Sequence, residues 1–181
     1  FVAGGTPSRS NEAYFGGEIP WLKTGAVQNS RVSESEEFLT EEGLENSTAK
    51  LVPSGAVLVA MYGGGTVGNV GLLEFDATTN QACCAIITEG SELDNEFLYY
   101  QLLFEHRRLV SYAAGASQQN LSKHDVEQFD IVVPPMKEQK RIASVLSTVE
   151  KRASQERTVK SDCQELKRGL MQDLLTGKRR L

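Results

Sequence analysis

Histidine is nearly missing from this chain of 181 residues, and neither His106 nor His124 stands at metal-ligand spacing from a cysteine or from the other histidine. There is no His-Glu-x-x-His pair and no Walker-type lysine, so neither of these motifs marks a catalytic site. The two histidines read as ordinary surface or capping residues. Cysteine is also scarce. Cys83, Cys84 and Cys163 make an odd count, two of them adjacent in a strand-like run, which suits reduced thiols in a cytoplasm better than a disulfide framework. A run of about 18 apolar residues is lacking too. The longest apolar stretches, residues 56–62 and 82–87, have the length of buried strands, so no membrane span is expected. An initiating methionine is missing as well: Phe1 already lies in patterned sequence, so the chain reads as a fragment, and no signal peptide is visible.

What is present divides in two. The net charge of −5 averages a segment 1–134 holding 7 Lys or Arg against 18 Asp or Glu, a balance of −11, with a segment 135–181 holding 12 against 6, a balance of +6. The two meet at Pro134-Pro135, after which no further proline occurs. With 40% hydrophobic residues, this length can bury one good core and leave an appendage besides. The expected organisation is therefore a globular domain over 1–134 and a single long helix over 135–181.

The first segment predicts an α+β fold. Short β-like runs at 19–22, 56–61, 67–73, 82–87 and 129–133 are separated by glycine-rich turns. Residues 95–112 have helical spacing in Phe97, Tyr100, Leu103, Phe104 and Val110, with Asp94 as a helix N-cap. A second, brief helix is expected from Ser122, because Ser122 and Asp125 stand three apart as a capping box requires.

In the second segment, Pro135 suits the first turn of a helix, where its missing N–H costs nothing. Ile142, Leu146, Val149, Ala153, Val159, Cys163, Leu166, Leu170 and Leu174 follow at spacings of mostly three and four, a narrow apolar stripe with charge on the other faces. Such a helix is about 60 Å long at about 1.5 Å per residue, far more than one small domain covers. Gly177, followed by Lys178, Arg179 and Arg180, marks its end.

Two stretches suggest catalysis and two contexts argue against it. MYGGGTVGNVG, residues 61–71, loosely matches a phosphate or S-adenosylmethionine cradle, but strand and turn follow where a nucleotide fold needs a helix N-terminus; a hairpin is the simpler reading. VVPPM resembles the Asn/Asp-Pro-Pro-Tyr motif of amino-group methyltransferases, yet Val133 cannot accept the substrate hydrogen bond and Met136 is not aromatic. It reads as a joint between two elements. The acidic run 34–45 reads as a solvated face. Three polar stretches remain, Gly4–Arg9, Ile19–Arg31 and Gly115–Lys123, combining turn formers with amides, hydroxyls, an indole and isolated cations. Amides and guanidinium groups can read base edges, and lysine suits phosphates, although solvated polar loops have the same composition.

GGTPSR, YFGGEIPWLKTGAV, LVPSGAVLVAMYGGGTVGNVGLL with TTNQACCAI, AAGASQQNLS, IVVPPMKEQKRIASVLS and LKRGLMQDLLTGK, in that order, resemble the specificity subunit of type I restriction-modification systems over essentially the whole chain. The resemblance implies a target-recognition domain followed by a long helix, normally present twice per subunit with the helices packed antiparallel. It also implies a non-catalytic reader of split duplex DNA that needs no cofactor and works with methyltransferase and restriction subunits. Only one domain and one helix are present. The chain is thus the second half of a subunit, a half-length subunit that pairs with itself, or an engineered piece.

On that footing Gln28, Asn29 and Arg31 are the candidate base readers, with Tyr62 beside the glycine turn. Arg9, Lys23 and Lys123 are the candidate phosphate contacts. Gln118, Gln119 and Asn120 belong to a stretch by which the family is recognised, so they are framework or backbone contacts rather than discriminators. Ile142, Leu146, Val149, Val159, Cys163, Leu166, Leu170 and Leu174 are the candidate self-association stripe, expected to pair antiparallel with a second copy.

Overall fold

The computed structural model of the chain describes residues 1–113 and 120–180, and these divide into two compact units, Phe1–Lys140 and Arg141–Leu181. In chain order the elements are β1 (Val2–Ala3), β2 (Phe15–Leu22), β3 (Ser30–Val32), β4 (Glu37–Leu39), α1 (Glu41–Glu45), β5 (Leu51–Val52), β6 (Val57–Ala60), β7 (Val70–Leu73), β8 (Ala77–Thr79) and β9 (Cys83–Ile86). Helices α2 (Asn95–Phe104), α3 (His106–Tyr112), α4 (Lys123–Glu127) and α5 (Met136–Leu175) complete the α+β architecture.

The first unit is built on a five-stranded sheet of order β1-β9-β6-β7-β3. Its three central strands are antiparallel and buried along their whole length, whereas β3 joins β7 in parallel. Both faces of this sheet are covered, which is why VLVA and CCAI read as unbroken apolar runs rather than alternating ones. Period-two geometry separates the two coverings. Val57, Val59, Cys84 and Ile86 pack with Leu98, Tyr99, Leu102, Leu109 and Val126 of the helices. Leu58, Ala60, Cys83 and Ala85 pack instead with Leu22, Val52 and Ala77 of a second sheet, ordered β4-β2-β8-β5.

The predicted caps are in place. Asp94 accepts from the Phe97 N–H at 2.9 Å, and the Ser122 hydroxyl and Asp125 carboxylate satisfy each other's backbone N–H groups. The Ser122 backbone hydrogen bond, then that of its hydroxyl, holds the Asp125 carboxyl below the ordinary carboxylate value. The glycine stretch is the expected hairpin between antiparallel β6 and β7, with Val59 opposite Val70. Gly68, at φ +78°, passes so close to α3 that a Cβ there would lie 2.6 Å from Val110 Cγ2.

Three expectations are corrected. Residues 95–112 form two helices, because Glu105 takes φ −85° and ψ 7° and breaks the run, while Leu102 and Leu109 still reach the same core. Residues 67–69 lie in the turn, so β7 begins only at Val70. Residues 129–133 are not a strand: Phe129 and Ile131 pack on the core and Val132 is 78% exposed, but among the described residues no neighbouring strand supplies a ladder.

The second unit is the continuation of α5, which ends where Gly177 adopts φ +74° and donates its N–H to the Leu174 carbonyl. Among the described residues no helix is long and apolar enough to cross a membrane.

Candidate nucleic-acid interface

The polar stretches singled out in the sequence are tied to one another by hydrogen bonds. Asn29 sits at φ +55°, a left-handed conformation that asparagine tolerates. Its Nδ2 donates to Asn69 Oδ1 at 3.1 Å and its Oδ1 accepts from the Val70 N–H at 2.9 Å, while Asn69 Nδ2 donates to the Val27 carbonyl at 3.0 Å. The loop after Lys23 is thereby fastened to the glycine hairpin. Gln28 folds back on the same loop, its Nε2 donating to the Gly25 carbonyl at 2.8 Å. From the other side, the Leu121 N–H donates to the Met61 carbonyl at 2.7 Å, which fastens the stretch holding Asn120 and Lys123 to the base of that hairpin.

The Gly4–Arg9 stretch joins through β2. Trp21 Nε1 donates to the Gly5 carbonyl at 3.0 Å, and Gly4 lies so tightly on β8 that a Cβ would be 2.2 Å from the Thr79 carbonyl. Beyond this contact the Arg9 guanidinium stacks 4.5 Å from the Phe15 ring centre and 4.8 Å from that of Trp21. Arg9 Nη2 also lies 2.8 Å from Glu37 Oε2, and Lys23 Nζ donates to the other oxygen of the same carboxylate. The Lys23 hydrogen bond, ahead of an opposing desolvation and the Arg9 hydrogen bond, holds the Glu37 carboxyl below its ordinary value.

Beside this cluster lies a cleft of about 360 Å³ in which Lys23, Gln28 and Arg31 face Glu34, Glu36 and Glu37. Arg31, with a side chain 22% exposed, is held against α2: its Nη2 lies 3.1 Å from Glu96 Oε1 and 3.4 Å from the Tyr100 hydroxyl, and its Nη1 lies 3.7 Å from Glu74. Of the three candidate base readers, then, Gln28 is exposed at the cleft, Asn29 uses its amide to shape the loop, and Arg31 is held by carboxylates and a phenol.

Tyr62 is partly buried at the start of the hairpin, and burial raises its phenol above the ordinary value. Asn120 is exposed; Lys123 pairs with Glu127 at 3.1 Å along α4. Gln118 and Gln119 lie outside the described residues. On α5, Leu146, Val149, Val159, Cys163, Leu166, Leu170 and Leu174 are all exposed and Ile142 is partly buried.

Three participants escaped the sequence reading. Glu37 belongs to an acidic run expected to be a solvated face, yet it turns toward two cations. Asn69, hidden in a glycine-rich turn, fastens two loops. Gln139, on the polar side of an amphipathic pattern, is buried near the start of α5. None of the three carried a local signal: the Asn29-to-Asn69 tie, for one, joins side chains 40 residues apart in sequence.

Residues 1–161 match the family described as type I restriction modification DNA specificity domain. The chain is 30% identical over 154 residues to the type I restriction enzyme MjaIX specificity subunit of Methanocaldococcus jannaschii, a match covering 81% of this chain and 34% of that protein. It is 28% identical over 151 residues to the EcoR124I/EcoR124II specificity subunit of Escherichia coli, covering 81% and 37%. Among solved structures, the HsdS subunit from Thermoanaerobacter tengcongensis superposes with a TM-score of 0.64 at 17% identity, over 95% of this chain and 41% of that one. A chain from a study of assembly and conformational transition of the type I R-M system gives 0.69 at 20% identity, over 92% and 40%. In each case the chain spans well under half the length of the protein it matches. With a recognised domain running through most of its length and a fold shared with such subunits, the chain belongs to the type I restriction modification DNA specificity domain family.

Proposed function

We propose that the first unit is a sequence-specific reader of duplex DNA and that it directs adenine methylation and cleavage carried out by methyltransferase and restriction subunits. The observation that carries this reading is the joining of the Gly4–Arg9, Ile19–Arg31 and hairpin stretches with Asn120–Lys123 through Glu37, Asn69 and the Met61 carbonyl. Distant parts of the sequence, rich in amides and cations, form a connected polar surface on a rigid two-sheet scaffold, as readout of base edges and phosphates needs.

In this reading Gln28 and Arg31 contact bases, with Tyr62 at the hairpin, and Asn29 shapes their loop. Arg9, Lys23 and Lys123 contact phosphates, with the segment holding Gln118, Gln119 and Asn120 beside them. The carboxylates of segment 1–134 make this a weak electrostatic binder by itself, and partner subunits supply further positive surface. The workplace is the cytoplasm.

The second unit, again as a proposal, is a spacer whose apolar stripe packs antiparallel on a second helix of the same kind. Leu166, Leu170 and Leu174 with Cys163 already outline a shallow apolar groove along it. A second copy of the chain would provide that helix, giving a two-fold dimer suited to a palindromic split site.

The test is selection from a random duplex library by the chain together with a methyltransferase subunit. Enrichment of one split sequence is expected. Enrichment of none, or calorimetric binding of S-adenosylmethionine to the isolated chain, would sink the reading.

A further inference from the structure

Arg9 and Lys23 converge on the two oxygens of a single carboxylate. Arg9 Nη2 lies 2.8 Å from Glu37 Oε2, and Lys23 Nζ donates to Glu37 Oε1. The two cationic side chains remain 53% and 46% exposed, so another anion can reach them from solvent. The Arg9 guanidinium does not swing freely, because the rings of Phe15 and Trp21 pack against it. Two cations fixed around a pair of oxygens make the arrangement that the non-bridging oxygens of a phosphodiester require.

We propose that Glu37 is a built-in stand-in for a DNA phosphate: it fills the Arg9–Lys23 site in the free chain and has to be displaced when duplex binds. This rests on the DNA-reading function proposed above. The charge of Glu37 then opposes the binding of every duplex alike, and only a sequence that also satisfies the base-reading groups overcomes it. Glu34 and Glu36, which line the same cleft as Lys23, add to the opposition. The Lys23 hydrogen bond, with that of Arg9, holds the Glu37 carboxyl below its ordinary value, so the stand-in is charged at neutral pH. The competing role, in which Glu37 merely holds the two cations in their binding geometry, predicts the opposite sign for its removal.

The experiment compares the full chain with Glu37→Gln, which keeps the side chain's shape and removes its charge, after melting curves show both folded. With the methyltransferase subunit present, Glu37→Gln is expected to bind duplex of any sequence about tenfold more tightly at low salt, and to steepen the slope of log affinity against log salt by about one. In an Arg9→Gln, Lys23→Gln background, where only general repulsion of phosphates is left to relieve, the same substitution should have a much smaller effect. A second arm needs no duplex: inorganic phosphate is titrated while the Arg9 side-chain Nε–H signal is followed by NMR, and Glu37→Gln should respond at about tenfold lower phosphate.

If duplex binds normally but Glu37→Gln binds equally or more weakly, the stand-in idea is overturned and the DNA-reading function is left intact. If no duplex binds while the phosphate arm still separates the two proteins, the anion site stands and the DNA-reading function falls. Failure of both arms overturns both.

Discussion

Gln139 and Asp94 meet side chain to backbone: the Asp94 N–H donates to Gln139 Oε1 at 2.8 Å, while the Asp94 carboxylate caps α2 through the Phe97 N–H at 2.9 Å. Gln139 Nε2 completes the arrangement by donating to the Glu92 carbonyl at 2.9 Å and the Pro134 carbonyl at 2.8 Å. At 1% exposure the amide has no water to fall back on. It therefore fixes the start of α5 to the cap of α2.

Replacing Gln139 by Leu strands an N–H and two carbonyls in a buried setting, and a loss of about 3 kcal/mol is expected. Urea unfolding of the wild type and the variant measures it: the midpoint should fall with little change in slope. A midpoint shift below about 1 kcal/mol would mean that water replaces the amide.

Burial pushes the Cys83 thiol up to about 12 and the Cys84 thiol up to about 11, whereas Cys163 is exposed. At pH 8 iodoacetamide should modify only Cys163 in the native chain and all three cysteines in urea. Because both raised thiols stay neutral when folded but ionise near ~8.5 when unfolded, stability should decline as the pH climbs from there toward 11. Native labelling of Cys83 or Cys84 by mass spectrometry would contradict their burial.

Arg31→Ala and Lys23→Ala separate the two kinds of DNA contact proposed for them. The first is expected to relax selection at one base position with a loss of about 1 to 3 kcal/mol, and the second to weaken all sequences alike while flattening the salt dependence. Arg31 also stands among Glu74, Glu96 and Tyr100, so its removal should lower the melting temperature, which that of the exposed Lys23 should not. Unchanged sequence preference and affinity in both variants would show that DNA is read elsewhere.

Leu166→Lys with Leu170→Lys tests the stripe. Val149 and Leu166 are 60% and 64% exposed, and burying each such side chain stabilises by roughly 1.5 to 3 kcal/mol before the costs of association are met. With Glu156 and Lys160 interrupting the stripe, sedimentation should reveal dimerisation of the unmodified chain at concentrations on the order of micromolar. The double variant should be a folded monomer. An unmodified chain that is monomeric throughout would leave the stripe to a different partner.

The parts of the fold that could be read from the sequence are those whose cause is local. Asp94 and Ser122 announce helix starts because a cap is satisfied within three residues. The buried strands β6 and β9 are legible because both faces are covered, and α5 because its period persists for 40 residues. β3, β5 and β8 are only two or three residues long, and their partners lie far away in sequence. Nothing local marks them. Residues 129–133 mislead for the complementary reason, since strand propensity without a neighbour makes an extended segment and no sheet. At the candidate interface, residue types could be chosen but not their commitments: that Arg31 is held by Glu74 and Glu96, or Arg9 by Glu37, depends on tertiary approach.

The two parallel pairings carry a kinetic consequence. Trp21 stands opposite Thr78 and Ser30 opposite Gly71, so neither β2 nor β3 can complete its ladder until most of the first unit has been synthesised. Closing such wide loops precedes any gain from the contacts, which places the unit among slow folders, in milliseconds to seconds, while helical turns of α5 flicker in about a microsecond. During translation β2 therefore waits with one edge unpaired until β8 leaves the ribosome. That interval is when aggregation competes with folding, and slower elongation or a lower growth temperature should raise the soluble yield.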